Sequence, residues 1–287
     1  VPSSDESISH RGAVYSEFWR IALAVLATVT AASCVTIFAR LVFFGEGPHN
    51  PVALVRSVAA LAALPWAAFL SVRRAFAARM HVEGETLVIE QDHRRTEIPV
   101  GEIAALEPWR LPFPGCGFRV RLKSGRLWGE AIEVYEPVPW VDALVDAGGS
   151  RGFGALRERS SVIYAQAVAG RERTIPRMFA KYVLFALIPT IPLFRVHQII
   201  AYGGVFGEYH QYGLGPYLAG FAIYWATLVA YLILYGVALR VFVEALSLAA
   251  ALIAPSSAAA VRRLAELTSR LLFYGGVPTL LALRFAA

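Results

Sequence analysis

At 287 residues with 57% hydrophobic, only 17% charged and a mean hydropathy of +0.53, the chain is too apolar for a soluble globular protein, where about 25% charged is usual. A formal charge of +6 arises without any basic platform interleaved with aromatic residues, so the sequence is read as having no nucleic-acid partner. Cys34, in an apolar run, and Cys116, in a Pro/Gly segment, fit neither a metal spacing nor a disulfide framework.

Residues 1–17 read as a short cytoplasmic N-terminal segment. The apolar run that follows is too long for a signal-peptide core and no small-residue cleavage site follows it, so it is expected to stay in the mature protein. Residues 18–79 read as a transmembrane hairpin. Its first span, 18–44, exceeds the roughly 20 residues that cross a ~30 Å hydrocarbon core. Its second, 52–72, carries Arg56 near its start and Pro65 inside, and stops at Arg73 and Arg74. Alanines in both, including Ala27, Ala31, Ala62 and Ala63, permit close helix approach.

Residues 80–147 have soluble-domain character. Leu87 and Ile89 alternate after a Gly84-Glu85 turn, and a second short strand ends near Ile98. Phe118, Val120 and Leu122 alternate with Arg119, Arg121 and Lys123, turn at Ser124-Gly125, and resume with Leu127 and Ile132. This is a hairpin with one buried and one basic face. Pro137 and Pro139 then open a short helix with Trp140, Val141, Leu144 and Val145 at helical spacing and a Gly148 stop.

Residues 148–177 read as a linker. It holds one helix whose Leu156, Ser160, Ile163 and Ala167 share a face, lying in the membrane interface or serving as a solvated connector. The C-terminal region, 178–287, is expected to hold three spans. The first, 179–202, contains Pro189 and Pro192, which should kink it. The second, 218–239, follows Tyr217, ends at Arg240, and is followed by apolar sequence that should carry the helix past the headgroups. The third, 271–285, is short, and a four-span arrangement with this helix lying in the interface is the alternative.

Orientation follows from Lys and Arg, which are retained on the cytoplasmic side. The stretch 73–181 holds 17 of the 27, while loops 45–51 and 203–216 hold none. The expected protein is thus an α-helical integral membrane protein of about five transmembrane helices. Its small β-rich cytoplasmic domain lies between the second and third, its N-terminus inside and its C-terminus outside a bacterial inner membrane.

The two-helix hairpin, the basic boundary, the pattern V-x-G-x-x-L-x-I, the phrase EIPVGEIAALE, the basic hairpin and the terminal helix together resemble the bacterial PH-like domain of membrane-anchored proteins over residues 19–147. The resemblance implies a small curved sheet capped by a helix, used for docking or assembly, with no catalytic residues to carry over.

Chemistry is nearly absent from the sequence. No phosphate-binding Gly-rich loop, zinc-protease motif, nucleophile elbow or paired cysteine occurs, and no two histidines stand three or four residues apart, so neither cofactor nor metal is expected. Glu17, Glu208, Glu244 and Glu266 lie near predicted span ends, which disfavours proton-relay transport. Two basic collections stand out. Arg40, Arg56, Arg195 and Arg284 fall near the outer ends of different spans. They either snorkel to headgroups or converge with Glu46, His49, His197, Glu208 or His210 on a lipid, anion or partner carboxylate. Arg119, Arg121, Lys123 and Arg126 form a cytoplasmic patch suited to anionic headgroups or an acidic partner. The reading that follows is a non-catalytic scaffold or accessory subunit whose partners are membrane lipids and other membrane subunits. The competing classes are a component of a lipid or small-molecule transporter and a membrane enzyme without a recognisable motif.

Overall fold

The computed structural model describes residues 9–44, 50–92, 94–169 and 175–279. The helices are α1 (Glu17–Val42), α2 (Pro51–Ala75), α3 (Pro137–Asp146), α4 (Ser160–Val168), α5 (Pro176–Tyr202), α6 (Gly207–Tyr212), α7 (Leu214–Ile253) and α8 (Ala258–Leu271). The strands are β1 (His10–Tyr15), β2 (Ala77–Glu83), β3 (Thr86–Gln91), β4 (Arg94–Pro99), β5 (Ile103–Pro108), β6 (Gly117–Leu122) and β7 (Leu127–Val134).

Among the described residues, α1, α2, α5 and α7 are long and apolar enough to cross a membrane, with 26, 25, 27 and 40 residues. This is the architecture of an α-helical membrane protein with an antiparallel β domain. The count is four where the sequence pointed to about five. Helix continues from α8 as far as Thr279, and the rest of the expected fifth span, with Arg284, lies outside the described residues. The expected span 218–239 is the middle of α7, which at 1.5 Å per residue is about 60 Å long, twice the hydrocarbon thickness. No breaker follows Arg240 until Pro255, so the helix runs on.

Prolines leave marks in two spans. Ala59–Ala63 forms a π turn just before Pro65, and Ala180–Leu184 forms another ahead of Pro189, where the Phe185 amide reaches back to the Ala180 carbonyl at 3.0 Å. A proline offers no donor to the carbonyl four residues before it, and the Phe185 carbonyl, which Pro189 leaves without that donor, accepts instead from the Ile188 amide at 3.2 Å.

The chain divides into two compact units, Val1–Thr28 with Trp66–Arg171 and Ala245–Arg263, and Val29–Pro65 with Glu172–Glu244 and Leu264–Ala287. In the second, Cys34 of α1, Leu54, Val58 and Ala62 of α2, and Ala230 and Leu234 of α7 pack together. The first unit is built on one seven-stranded antiparallel sheet in the order β4-β3-β2-β1-β7-β6-β5. Its centre is β1, which comes from the stretch assigned above to a separate N-terminal segment. The domain therefore begins before the first span as well as after the second. One face carries Leu87, Ile89, Phe118, Val120, Ile132 and Val134 and is closed by Trp140, Val141 and Leu144 of α3. The Ser124-Gly125 turn forms as expected, with Gly125 at φ +81°.

Within the stretch 148–177 read as a linker, residues 151–168 are folded structure. Arg151–Glu158 is a 3-10 segment and α4 follows it, and Phe153, Leu156, Val162 and Ala165 are buried in the same core as α3. The 3-10 turn shifts the phase of the side chains, so Val162 and Ala165 face inward where a continuous α pattern put Ile163 and Ala167. These residues belong to the β domain.

Candidate functional site

The second face of the sheet is also covered. On β7, Ile132 and Val134 point to α3, so alternation turns Ala131 and Glu133 to the other side. There Ala13, Tyr15 and Ala131 pack with Leu23 of α1, Phe69 of α2 and Trp109, flanked by Trp19, Val72 and Phe76. Glu133 is fully buried in this layer. Its carboxylate accepts a hydrogen bond from the Tyr15 hydroxyl at 2.6 Å and pairs with the Arg73 guanidinium near the end of α2. That guanidinium also lies 4.7 Å from the Tyr135 ring and 5.8 Å from Phe69.

Burial first, and the Glu133 charge second, push the Tyr15 hydroxyl far above its ordinary range, so it stays a donor. The same two causes raise the Cys116 thiol to about 12, which removes it as a nucleophile. Among the described residues no group of three or more His, Cys, Asp or Glu is placed to hold a metal ion. The arrangement is a clamp between strand and span, with hydrogen bonding and charge pairing as its chemistry.

The basic hairpin divides in two. Arg119 reaches Glu17 in the first turn of α1 at 2.9 Å, and Arg121 reaches Glu107 at 2.7 Å. Among the described residues Lys123 and Arg126 make no side-chain ion pair. Their position follows from register. Ala131 stands opposite Tyr15, the last residue of β1, so residues 127–130 and the turn before them run on past the end of β1 by up to about 13 Å of strand. That is the end of the sheet from which α1 departs. The sheet also curls there, because Arg94 of β4 reaches Glu130 of β7 at 2.8 Å although β3, β2 and β1 separate those strands.

Of the arginines expected at the outer boundary, Arg40 lies in the last turn of α1, while Arg56 in α2 and Arg195 in α5 are exposed, and the latter two make no side-chain hydrogen bond or ion pair among the described residues. Glu46 and His49 lie outside the described residues, as does Arg284. Glu208 is instead held by Gln198, a fully buried residue of α5. The Gln198 amide nitrogen donates to the Glu208 carboxylate at 2.7 Å, and the Glu208 backbone amide donates back at 3.1 Å. Rings surround this pair, with His197 5.0 Å from Tyr224 and Phe194 touching Tyr217, Phe221 and Tyr224. Sequence reasoning missed both Gln198 and Glu133. Two polar residues inside apolar stretches were the available signal; Gln198 meets Glu208 ten residues on, while the partners of Glu133 lie 60 and 118 positions away.

No family model, curated protein or solved structure matches the chain. The geometry is therefore the only ground for its function.

Proposed function

We propose that the chain is a non-catalytic membrane scaffold or accessory subunit whose β domain, PH-like in character, is held at the membrane surface to dock a partner subunit or anionic headgroups. The observation that carries this reading is the join between sheet and spans. Only Ser16 separates β1 from α1, and only Phe76 separates α2 from β2, while β1 and β2 are neighbours at the sheet centre. With Arg73 clamped on Glu133, the domain is rooted in its first two helices without a flexible tether. One-residue connections leave no flexible tether between the sheet and the helix segments that enter it, which lowers the ordering cost of association. In this reading the domain lies on the cytoplasmic side of a bacterial inner membrane, and the basic boundary of α2 supports that orientation. A fifth span would put the C-terminus outside.

The hairpin turn is the docking element of this reading. Each basic residue near an anionic surface contributes about 1 kcal/mol. Reversing Lys123 and Arg126 to glutamate should therefore lower partner or anionic-lipid retention about tenfold or more, with insertion unchanged. The check is native-nanodisc isolation of the full chain with quantitative mass spectrometry. A stoichiometric subunit or lipid in the wild type, lost from the double variant, supports docking; a lone chain with the same lipid content in both removes it.

One observation favours transport of a lipid as a second reading. Val55, Val58, Ala59, Ala63, Val183, Trp225 and Val229 line an apolar hollow of about 380 Å³, and both π turns contribute to it. Filling it with Ala59→Phe should expel a bound acyl chain if one resides there, as read by the mass of copurified lipid. Unchanged lipid content removes this reading.

A further inference from the structure

Arginines meet across the central strands of the sheet. Arg11 of β1 stands directly opposite Arg79 of β2, Arg79 stands opposite Glu90 of β3, and Glu90 stands opposite Arg95 of β4. The row is not neutralised evenly. Arg95 draws in Glu83 at 2.7 Å and Glu97 at 2.8 Å and lies 3.6 Å from Glu90. Arg94 is taken by Glu130. Arg11 and Arg79 are exposed and make no side-chain ion pair or hydrogen bond among the described residues. Directly opposite residues of an antiparallel pair have Cβ atoms about 5 Å apart, and like charges there are destabilising.

These two line an open cleft of about 690 Å³ with Arg94, Arg95, Glu90, Gln91, Asp92 and Tyr135. Arg94 and Arg95 are already paired with carboxylates, so the basic character of the cleft rests on Arg11 and Arg79. Gln91 is fixed by its bond to the Val14 carbonyl at 2.8 Å, and Ala77, on the same face of β2 as Arg79, is too small to fill the floor. The cleft lies near the spans. Arg79 follows Ala75, the last residue of α2, by no more than about 13 Å of extended chain, within an arginine's reach of the headgroup layer.

We propose that Arg11 and Arg79 chelate one phosphate group, carried by an anionic lipid headgroup or by a soluble phosphate compound. Two guanidinium forks on adjacent strands offer convergent donors to a tetrahedral anion, and the anion removes their repulsion. The carboxylates of the cleft set the limit of charge it accepts. The site differs from the hairpin turn and holds whether or not a partner subunit exists.

The test uses the full chain in phosphatidylcholine nanodiscs, with thermal unfolding as the readout. Arg11→Gln should raise the midpoint in neutral discs, because it removes a like-charge contact, whereas Arg79→Gln removes that contact together with the attraction to Glu90 and should leave the midpoint near wild type. Inorganic pyrophosphate, or phosphatidic acid in the disc, should raise the wild-type midpoint further by ligand linkage. Either variant should lose that rise, with apparent affinity about tenfold or more weaker. A rise with pyrophosphate identifies a soluble phosphate, and a rise with phosphatidic acid alone identifies a headgroup. Absence of both rises in the wild type, full rises in either variant, or a lower midpoint of Arg11→Gln in neutral discs would overturn the proposal.

Discussion

Replacing Glu133 by alanine should lower the unfolding midpoint of the β domain by roughly 10 °C, from about 3 kcal/mol of lost stability. Removing one partner of a buried ion pair strands the other in low dielectric, and here two groups are stranded. Tyr15 loses its acceptor and keeps a buried hydroxyl without its partner. Arg73 loses its counter-ion and keeps only the Tyr135 and Phe69 faces. Arg73→Ala should be of similar size, because it leaves a carboxylate with no exposure beside a single hydroxyl donor. The double variant should fall well short of the sum, since both changes remove one interaction. Tryptophan fluorescence during heating in nanodiscs reads the midpoint, and additive losses, or a Glu133→Ala midpoint within about 2 °C of wild type, would show that the clamp is not what holds strand to span.

Where information in the sequence was local, it was legible. Apolar composition over 20 or more residues marks a span whatever surrounds it, and the starts of α1 and α2 lie within a residue of those read from composition. Leu87 with Ile89 and Phe118 with Val120 alternate because one face of their strands meets the core, and Gly125 marks its turn directly. β1 was not legible for the opposite reason. Five of its six residues are buried, since it sits at the centre of a sheet covered on both faces, so no alternation survives in HRGAVY. Phe153 and Leu156 were hidden by a 3-10 segment whose inward positions do not repeat at 3.6. The clamp joins residues 60 and 118 positions apart in the chain, a distance that no local pattern records. Arg73 was therefore read as a retention signal alone, and the arginines chosen as site residues at the outer boundary gave no sign that Glu208 belongs to Gln198.

The same central strand makes Gly12→Ala the most damaging small substitution expected in the β domain. A Cβ at Gly12 would stand 2.0 Å from the Glu133 carbonyl oxygen and 2.4 Å from the Met80 methyl carbon. Met80 can swing aside, but the carbonyl belongs to the β1–β7 ladder, in which Gly12 pairs with Val134. Relief requires β1 to move away from β7, and that move also pulls Tyr15 from Glu133. Ordinary overpacking costs about 1–3 kcal/mol, and here the loss of the clamp adds to it. Because β1 lies between β2 and β7, its displacement splits the sheet into β2–β4 and β5–β7. The spans do not depend on this ladder, so the variant should insert normally while its β1 amides lose protection from hydrogen exchange and its domain becomes sensitive to limited proteolysis. Gly129→Ala on β7 is the matched control. Nothing lies within 4 Å of its added Cβ, and it should be neutral or stabilising by about 0.5 kcal/mol through lower entropy of the unfolded chain. Wild-type exchange rates in the Gly12 variant would mean that the ladder accommodates the added Cβ with β1 in place, so the close approach of Gly12 to β7 would not be what fixes the central strand.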